Sequence, residues 1–114
     1  MDSILTSVKK LLGIQENYTN FDADIIMHIN TVFAALNQLG VGPERGFMID
    51  DATSTWDNYI TVYNINMVKS YMYLRVRLLF DPPTSSVLME SMKHSIAELE
   101  WRLNVEVDHP KTTT

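Results

Sequence analysis

Residues 68–80 read V-K-S-Y-M-Y-L-R-V-R-L-L-F, residues 81–84 read D-P-P-T, and residues 85–105 read S-S-V-L-M-E-S-M-K-H-S-I-A-E-L-E-W-R-L-N-V. Two consecutive prolines cannot continue a helix, so Asp81-Pro82-Pro83-Thr84 divides two helical patterns and makes them a hairpin. Before the stop, Met67, Val68, Tyr71, Met72, Leu74, Val76, Leu78 and Leu79 cover nearly the whole circumference of a helix over residues 64–80. A helix that is apolar all round sits in the middle of something. After the stop, Met89, Met92, Ile96, Leu99 and Leu103 step by three and four along a helix over residues 85–104, with Thr84 as its cap. The apolar and arginine-bearing surface of this hairpin is more than one small bundle is expected to hide.

Working outward, residues 22–39 form a second long pattern, with Ile25, Ile26, Ile29, Val32, Phe33 and Leu36 as its stripe. Asn20 or Asp22 is expected to cap it, and Asp22 and Asp24 place negative charge in the first turn. Gly40 ends it, and Gly42-Pro43 prevents a restart. A shorter helix over residues 2–12 carries Ile4, Leu5, Val8, Leu11 and Leu12, with Asp2 or Ser3 as cap and Gly13 as stop. Lys9 and Lys10 fall in its last turn, where cations suit the helix dipole.

Residues 41–66 separate the second and third long helices. This segment admits a helical turn around Trp56, capped by Thr53 or Thr55, or a small hairpin between residues 47–49 and 59–63. So long a connection in a small domain is usually functional or ordered by a partner. The expected architecture is all-α: a small four-helix bundle at residues 1–104 with this long loop, then a flexible tail at residues 105–114.

Composition narrows the function. A chain of 114 residues is one domain, and about 65% of its unfolded surface can be buried. The chain has no cysteine, which excludes disulfides and thiolate metal sites. Its net charge of −5 opposes tight binding to a phosphate backbone. No signal peptide and no membrane span are expected, since Arg75 and Arg77 interrupt the most apolar run.

No catalytic motif stands out. His28, His94 and His109 lack the spacing of zinc ligands and are read as ordinary helix and tail residues. Asp22 with Asp24, and Asp50 with Asp51, are better explained as caps and turn formers than as a catalytic dyad. Ser85, Ser86 and Ser91 lie near His94, but no nucleophile elbow is present. The seven methionines fit core filling better than an adaptable groove. Arg75 and Arg77 lie on different faces of a central helix, so at least one is expected to be spent between subunits. Glu98 and Glu100 are its candidate partners, in the same chain or the next copy. Glu98 and Arg102 form an i,i+4 pair. Trp101 sits off the helix seam, at an interface or a core edge.

Five segments carry a family resemblance: S-V-K-K-L-L-G-I at residues 7–14, F-D-A-D-I-I-M-H-I-N at 21–30, L-N-Q-L-G-V-G-P at 36–43, the apolar helix with its D-P-P at 68–83, and E-W-R-L-N at 100–104. In this order the chain resembles the small helical head–tail connector (adaptor) proteins of tailed bacteriophages. That resemblance implies a non-enzymatic virion protein without cofactor or metal, placed in the neck and assembled in the bacterial host cytoplasm. It implies a closed homo-oligomeric ring of about twelve copies under the portal protein, with a tail-completion or stopper protein on the other side. Double-stranded DNA would pass through without sequence-specific binding.

On this reading Arg75, Arg77, Glu98, Glu100, Trp101 and Arg102 are candidates for the subunit interface. Val105, Val107, His109 and Pro110 are candidates for portal docking. Glu44, Arg45, Phe47, Asp50, Asp51 and Trp56 are candidates for a loop contact or the channel wall. The rival reading is a helical nucleic-acid-binding or regulatory module, against which the net charge and the lack of a basic recognition helix both count.

Overall fold

The computed structural model describes residues 3–59 and 65–108. The order is α1 (Ile4–Leu11), α2 (Asp22–Gln38), the single turn α3 (Trp56–Tyr59), α4 (Ile65–Phe80) and α5 (Ser86–Asp108). The fold is all-α, and the described residues contain no strand beyond one isolated bridge between Ser3 and Thr55.

The helix ends follow from local chemistry. Ser3 caps α1, its side chain accepting from the Thr6 N–H at 3.2 Å. Gly13 closes α1 and Gly40 closes α2 in the same manner. In each the residue after the glycine donates back across the last turn, Ile14 to the Lys9 carbonyl and Val41 to the Leu36 carbonyl, both at 2.9 Å. The left-handed backbone this needs, φ 83° at Gly13 and 86° at Gly40, is one that glycine adopts without penalty. Two expected caps are displaced. At the start of α2 neither Asn20 nor Asp22 caps; Phe21 occupies the cap position and makes no side-chain cap bond. At the start of α5 Ser85, not Thr84, accepts from the Leu88 N–H at 3.2 Å, because the D-P-P turn ends one residue later than expected.

The core is built where α2 meets α1 and α4. Ile25, Ile29, Val32, Phe33 and Leu36 face Ile4, Leu5 and Val8 on one side and Val68, Met72 and Val76 on the other. The long loop is part of this core. Phe33 holds the rings of Tyr59 and Phe47 at centroid distances of 4.6 and 5.1 Å, and Trp56 packs at 6.5 Å. The expected turn around Trp56 is α3, with Asn58 Oδ1 accepting from the Thr55 N–H at 2.8 Å. Thr53 serves a different turn, donating from N–H and hydroxyl to Asp51.

Two asparagines of α2, seven residues apart and so on one face, tie the loop down. Asn30 exchanges two hydrogen bonds with the Ile49 backbone at 2.8 and 3.0 Å, as a neighbouring strand would. Asn37 donates to the carbonyls of Pro43 and Glu44. Ile49 is thus held by a side chain of the helix. Of the expected pairing segment, residues 59–63, Tyr59 belongs to α3 and the rest lies outside the described residues.

At Gly42 φ is +90°, and a Cβ there would stand 2.6–2.9 Å from the Tyr59 ring. Gly42→Ala is therefore expected to cost about 2 kcal/mol, from left-handed strain together with overpacking. Urea unfolding should show the lowered midpoint with an unchanged slope.

α5 packs chiefly on α4, as the second arm of the expected hairpin. It does not stop at Asn104 but runs to Asp108. Val107 continues the Leu103 seam by four residues and lies against Gly40, its Cγ1 3.0 Å from where a Cβ would sit. The boundary expected at residue 104 is therefore four residues short, and residues 105–108 are helical instead of flexible. Residues 109–114 lie outside the described residues. The molecule measures 46 × 36 × 20 Å, with a radius of gyration of 14.2 Å against about 13 Å for a compact chain of this length. It is a slab with α5 along one margin.

Candidate interaction surface

The described residues offer no cluster of three or more His, Cys, Asp or Glu side chains able to hold a metal. His28 is half-buried against the Phe80 ring, and His94 lies exposed on α5. Asp51 is taken up by Thr53, whose hydroxyl and then backbone N–H hold its carboxyl below the usual range. No described helix is long and apolar enough to cross a membrane. A cleft of about 580 Å³ between α2 and the loop is lined by Asn30, Asn37, Arg45, Phe47 and Met48 among others, with no nucleophile beside a base.

The α4–α5 hairpin is where the structure concentrates charge and exposed apolar surface. Arg75 Nη1 lies 2.9 Å from Glu100 Oε2, and the Tyr71 hydroxyl donates to the same oxygen at 2.7 Å. Arg75 also donates to the Tyr71 oxygen at 3.1 Å, with its guanidinium 5.6 Å from the ring centre. One carboxylate of α5 thus binds two groups of α4. Arg75 and Glu100, expected between subunits or within one, are partners inside the chain.

Burial pushes the Tyr71 phenol up to about 12, and the bond to Glu100 adds to this, against the pull of Arg75. The raised value has a direct consequence. The unfolded phenol ionises near 10, so the folded state holds its proton longer. This part of the stability is complete below pH 10 and is lost as pH rises toward 12. Tyr71→Phe should flatten that alkaline limb in a stability–pH series; a limb of unchanged steepness would assign it to other groups.

Arg77 is held locally, by the Tyr73 hydroxyl at 3.2 Å and the Asp81 carbonyl at 3.4 Å. Glu98 and Arg102 form the expected pair on the outside of α5, at 3.4 Å.

Trp101 is 67% exposed, at the outer face of α5 and not at a core edge. Val87 is 78% exposed, and Leu88 and Leu79 are also open to solvent. Val87, His94 and Trp101 are spaced by sevens and so stand in one line, with Val105 four residues on. That line is opposite the buried seam of Met92, Ile96 and Leu103. α5 therefore spends one apolar seam on α4 and carries two large apolar side chains, Val87 and Trp101, on the opposite side, uncovered by its own chain. The spacing was readable in the sequence, but Met92 to Leu103 makes the longer row and hides the second. Ion pairs Glu90–Lys93 and Glu98–Arg102 flank the outer line.

The remaining candidates separate. Glu44, Arg45, Asp50 and Asp51 are exposed on the loop. Phe47 is half-buried, and Trp56 is 1% exposed, its Nε1 donating to Ser7 Oγ at 2.9 Å. Trp56 is a core residue, which corrects its assignment to a loop contact or channel wall. Val105 and Val107 are half-buried, and His109 and Pro110 lie outside the described residues. The group missed in the sequence is Lys9, which is buried. Its ammonium donates to the Glu16 and Tyr18 carbonyls at 3.0 and 2.8 Å and pairs with Asp22 Oδ1 at 2.8 Å.

Among known families, the one described as phage connector protein matches the chain over residues 4–110. No curated protein and no solved structure matched the chain.

Proposed function

Because the chain belongs to the phage connector protein family, we propose that it is a structural protein of the virion, without enzymatic activity, that joins head to tail. In this reading about twelve copies, each one small bundle of its four longer helices, close head-to-tail into a ring beneath the portal protein. A tail-completion or stopper protein takes the other side, and the ring helps retain packaged DNA, which passes through without being read. Assembly takes place in the bacterial host cytoplasm and the product resides in the neck. Val105, Val107, His109 and Pro110 toward the C-terminus, and Glu44, Arg45, Asp50 and Asp51 on the loop, are the proposed contacts with these neighbours.

One observation carries the ring beyond the family match: the outer face of α5. Val87, Leu88 and Trp101, with Leu79 at the end of α4, leave apolar side chains open along one margin of the slab. Trp is enriched among residues that dominate protein interfaces, and large apolar side chains in line mark a surface meant to be covered. The flanking charges are already paired within the chain, so a neighbour can cover the line without supplying counter-charges. Trp101 and Arg102 are then interface residues, while Arg75 and Glu100 act behind them by holding α5 in place.

Native mass measurement and negative-stain imaging of the chain, with and without purified portal particles, test this reading. Rings on portals, or free rings of similar copy number, are expected. A chain that stays monomeric and leaves portal particles bare would overturn it.

A further inference from the structure

A separate surface lies where the α1–α2 link meets the end of α4. Tyr18 and Phe21 pack at 5.6 Å, Phe21 and Phe80 at 5.4 Å, and Phe80 and His28 at 6.4 Å, all tilted or edge-on. The row is not a core. Tyr18 is 44% and Phe21 41% exposed. Phe21 also breaks a local rule, since it occupies the helix cap position without a cap bond. Ser, Thr, Asp or Asn there would be worth about 1 kcal/mol more. A residue that gives up a local preference and stays in water is better explained by a contact made elsewhere.

The rim of the row is acidic. Asp24 and Asp81 are both exposed, Asp24 on the helical face of Phe21 and His28, and Asp81 next to Phe80. The cations nearby in the chain are engaged: Lys9 is buried on Asp22, and Arg77 is held by Tyr73 and the Asp81 carbonyl. Partly exposed aromatic rings beside carboxylates that form no ion pair among the described residues match the chemistry of a guanidinium or ammonium group, which aromatic rings attract and carboxylates bind.

We propose that this end of the molecule docks an arginine- or lysine-bearing segment of a partner protein, the cation lying on the aromatic row between Asp24 and Asp81. The site does not depend on the ring reading and lies on different elements from the outer line of α5.

Titration of the full chain with the blocked peptide Gly-Ser-Arg-Ser-Gly, followed by two-dimensional amide NMR, tests it. The probe's control is the same peptide with citrulline, which keeps the shape of arginine and removes the charge. Shifts should centre on Tyr18, Phe21, His28 and Phe80, and binding should weaken about tenfold with citrulline and about tenfold in Phe21→Ser. Phe21→Ser restores a favoured cap, so loss of binding there does not reflect loss of folding. Equal binding of the two peptides, shifts spread equally over Glu90, Glu98 and Asp50, or no shift at about 10 mM peptide would each overturn the proposal.

Discussion

Lys9→Met is expected to destabilise the chain by about 2–3 kcal/mol, a large share of what a domain of this size has. The side chain is 3% exposed, and methionine matches its length and helix preference, so the loss is one of polar contacts. Two carbonyls of the α1–α2 link, at Glu16 and Tyr18, lose their donor. Asp22 Oδ1 is buried and accepts no hydrogen bond, so the Lys9 charge at 2.8 Å is its compensation. Asp22 is itself 26% exposed, so its carboxylate keeps part of its hydration, and the larger share of the cost is that of the two carbonyls left without their donor. The double substitution Lys9→Met with Asp22→Asn should recover the smaller part of the loss, since the stranded charge is gone. Urea unfolding of the four proteins of this cycle reads the coupling directly. A loss under about 1 kcal/mol in the single variant would show that water reaches the site and the clamp is weak.

Val87→Glu with Trp101→Glu is expected to weaken assembly on portal particles at least about a hundredfold while leaving the isolated chain folded. Both side chains are mostly in water in the single chain, so their removal breaks few contacts there. Substitutions at such positions usually change stability by less than about 0.5 kcal/mol. In an assembled state the same two changes bury new carboxylates against a neighbour of a chain with net charge −5. Thermal unfolding and native mass should therefore separate, the first unchanged and the second showing free monomer. Assembly at wild-type strength would place the copy-to-copy contact elsewhere.

Much of the fold was legible because its signals are local. The four apolar stripes, the glycine stops at Gly13 and Gly40 and the D-P-P break each act within one or two turns, and the all-α class follows from them. What escaped depends on chain segments meeting. Lys9 looks like an ordinary cation in a last helical turn until the link over residues 13–21 curls back and brings two carbonyls and Asp22 to it. Asn30 and Asn37 share a face of α2, but nothing near them in sequence says that the loop will lie there. Trp56 followed the common rule that long loops carry function, whereas this loop is ordered by its own aromatic side chains around Phe33. The end of α5 was missed because Asn104 and Glu106 are polar, although Val107 falls on the Leu103 row. The interface candidates were mixed for a related reason. Arg75 and Trp101 both lie on the hairpin, and only the position of Glu100 separates the residue that fastens α5 from the residue left outside it.

The proposed ring requires that neighbouring copies cover the outer line of α5. Hydroxyl-radical oxidation of Trp101, read by peptide mass spectrometry in the free chain and in the portal-bound assembly, measures this at the residue concerned, with buried Trp56 as the reference in the same chain. Oxidation of Trp101 should fall at least about fivefold on assembly while Trp56 stays slow in both states. An assembly in which Trp101 reacts as fast as in the free chain would contradict the account.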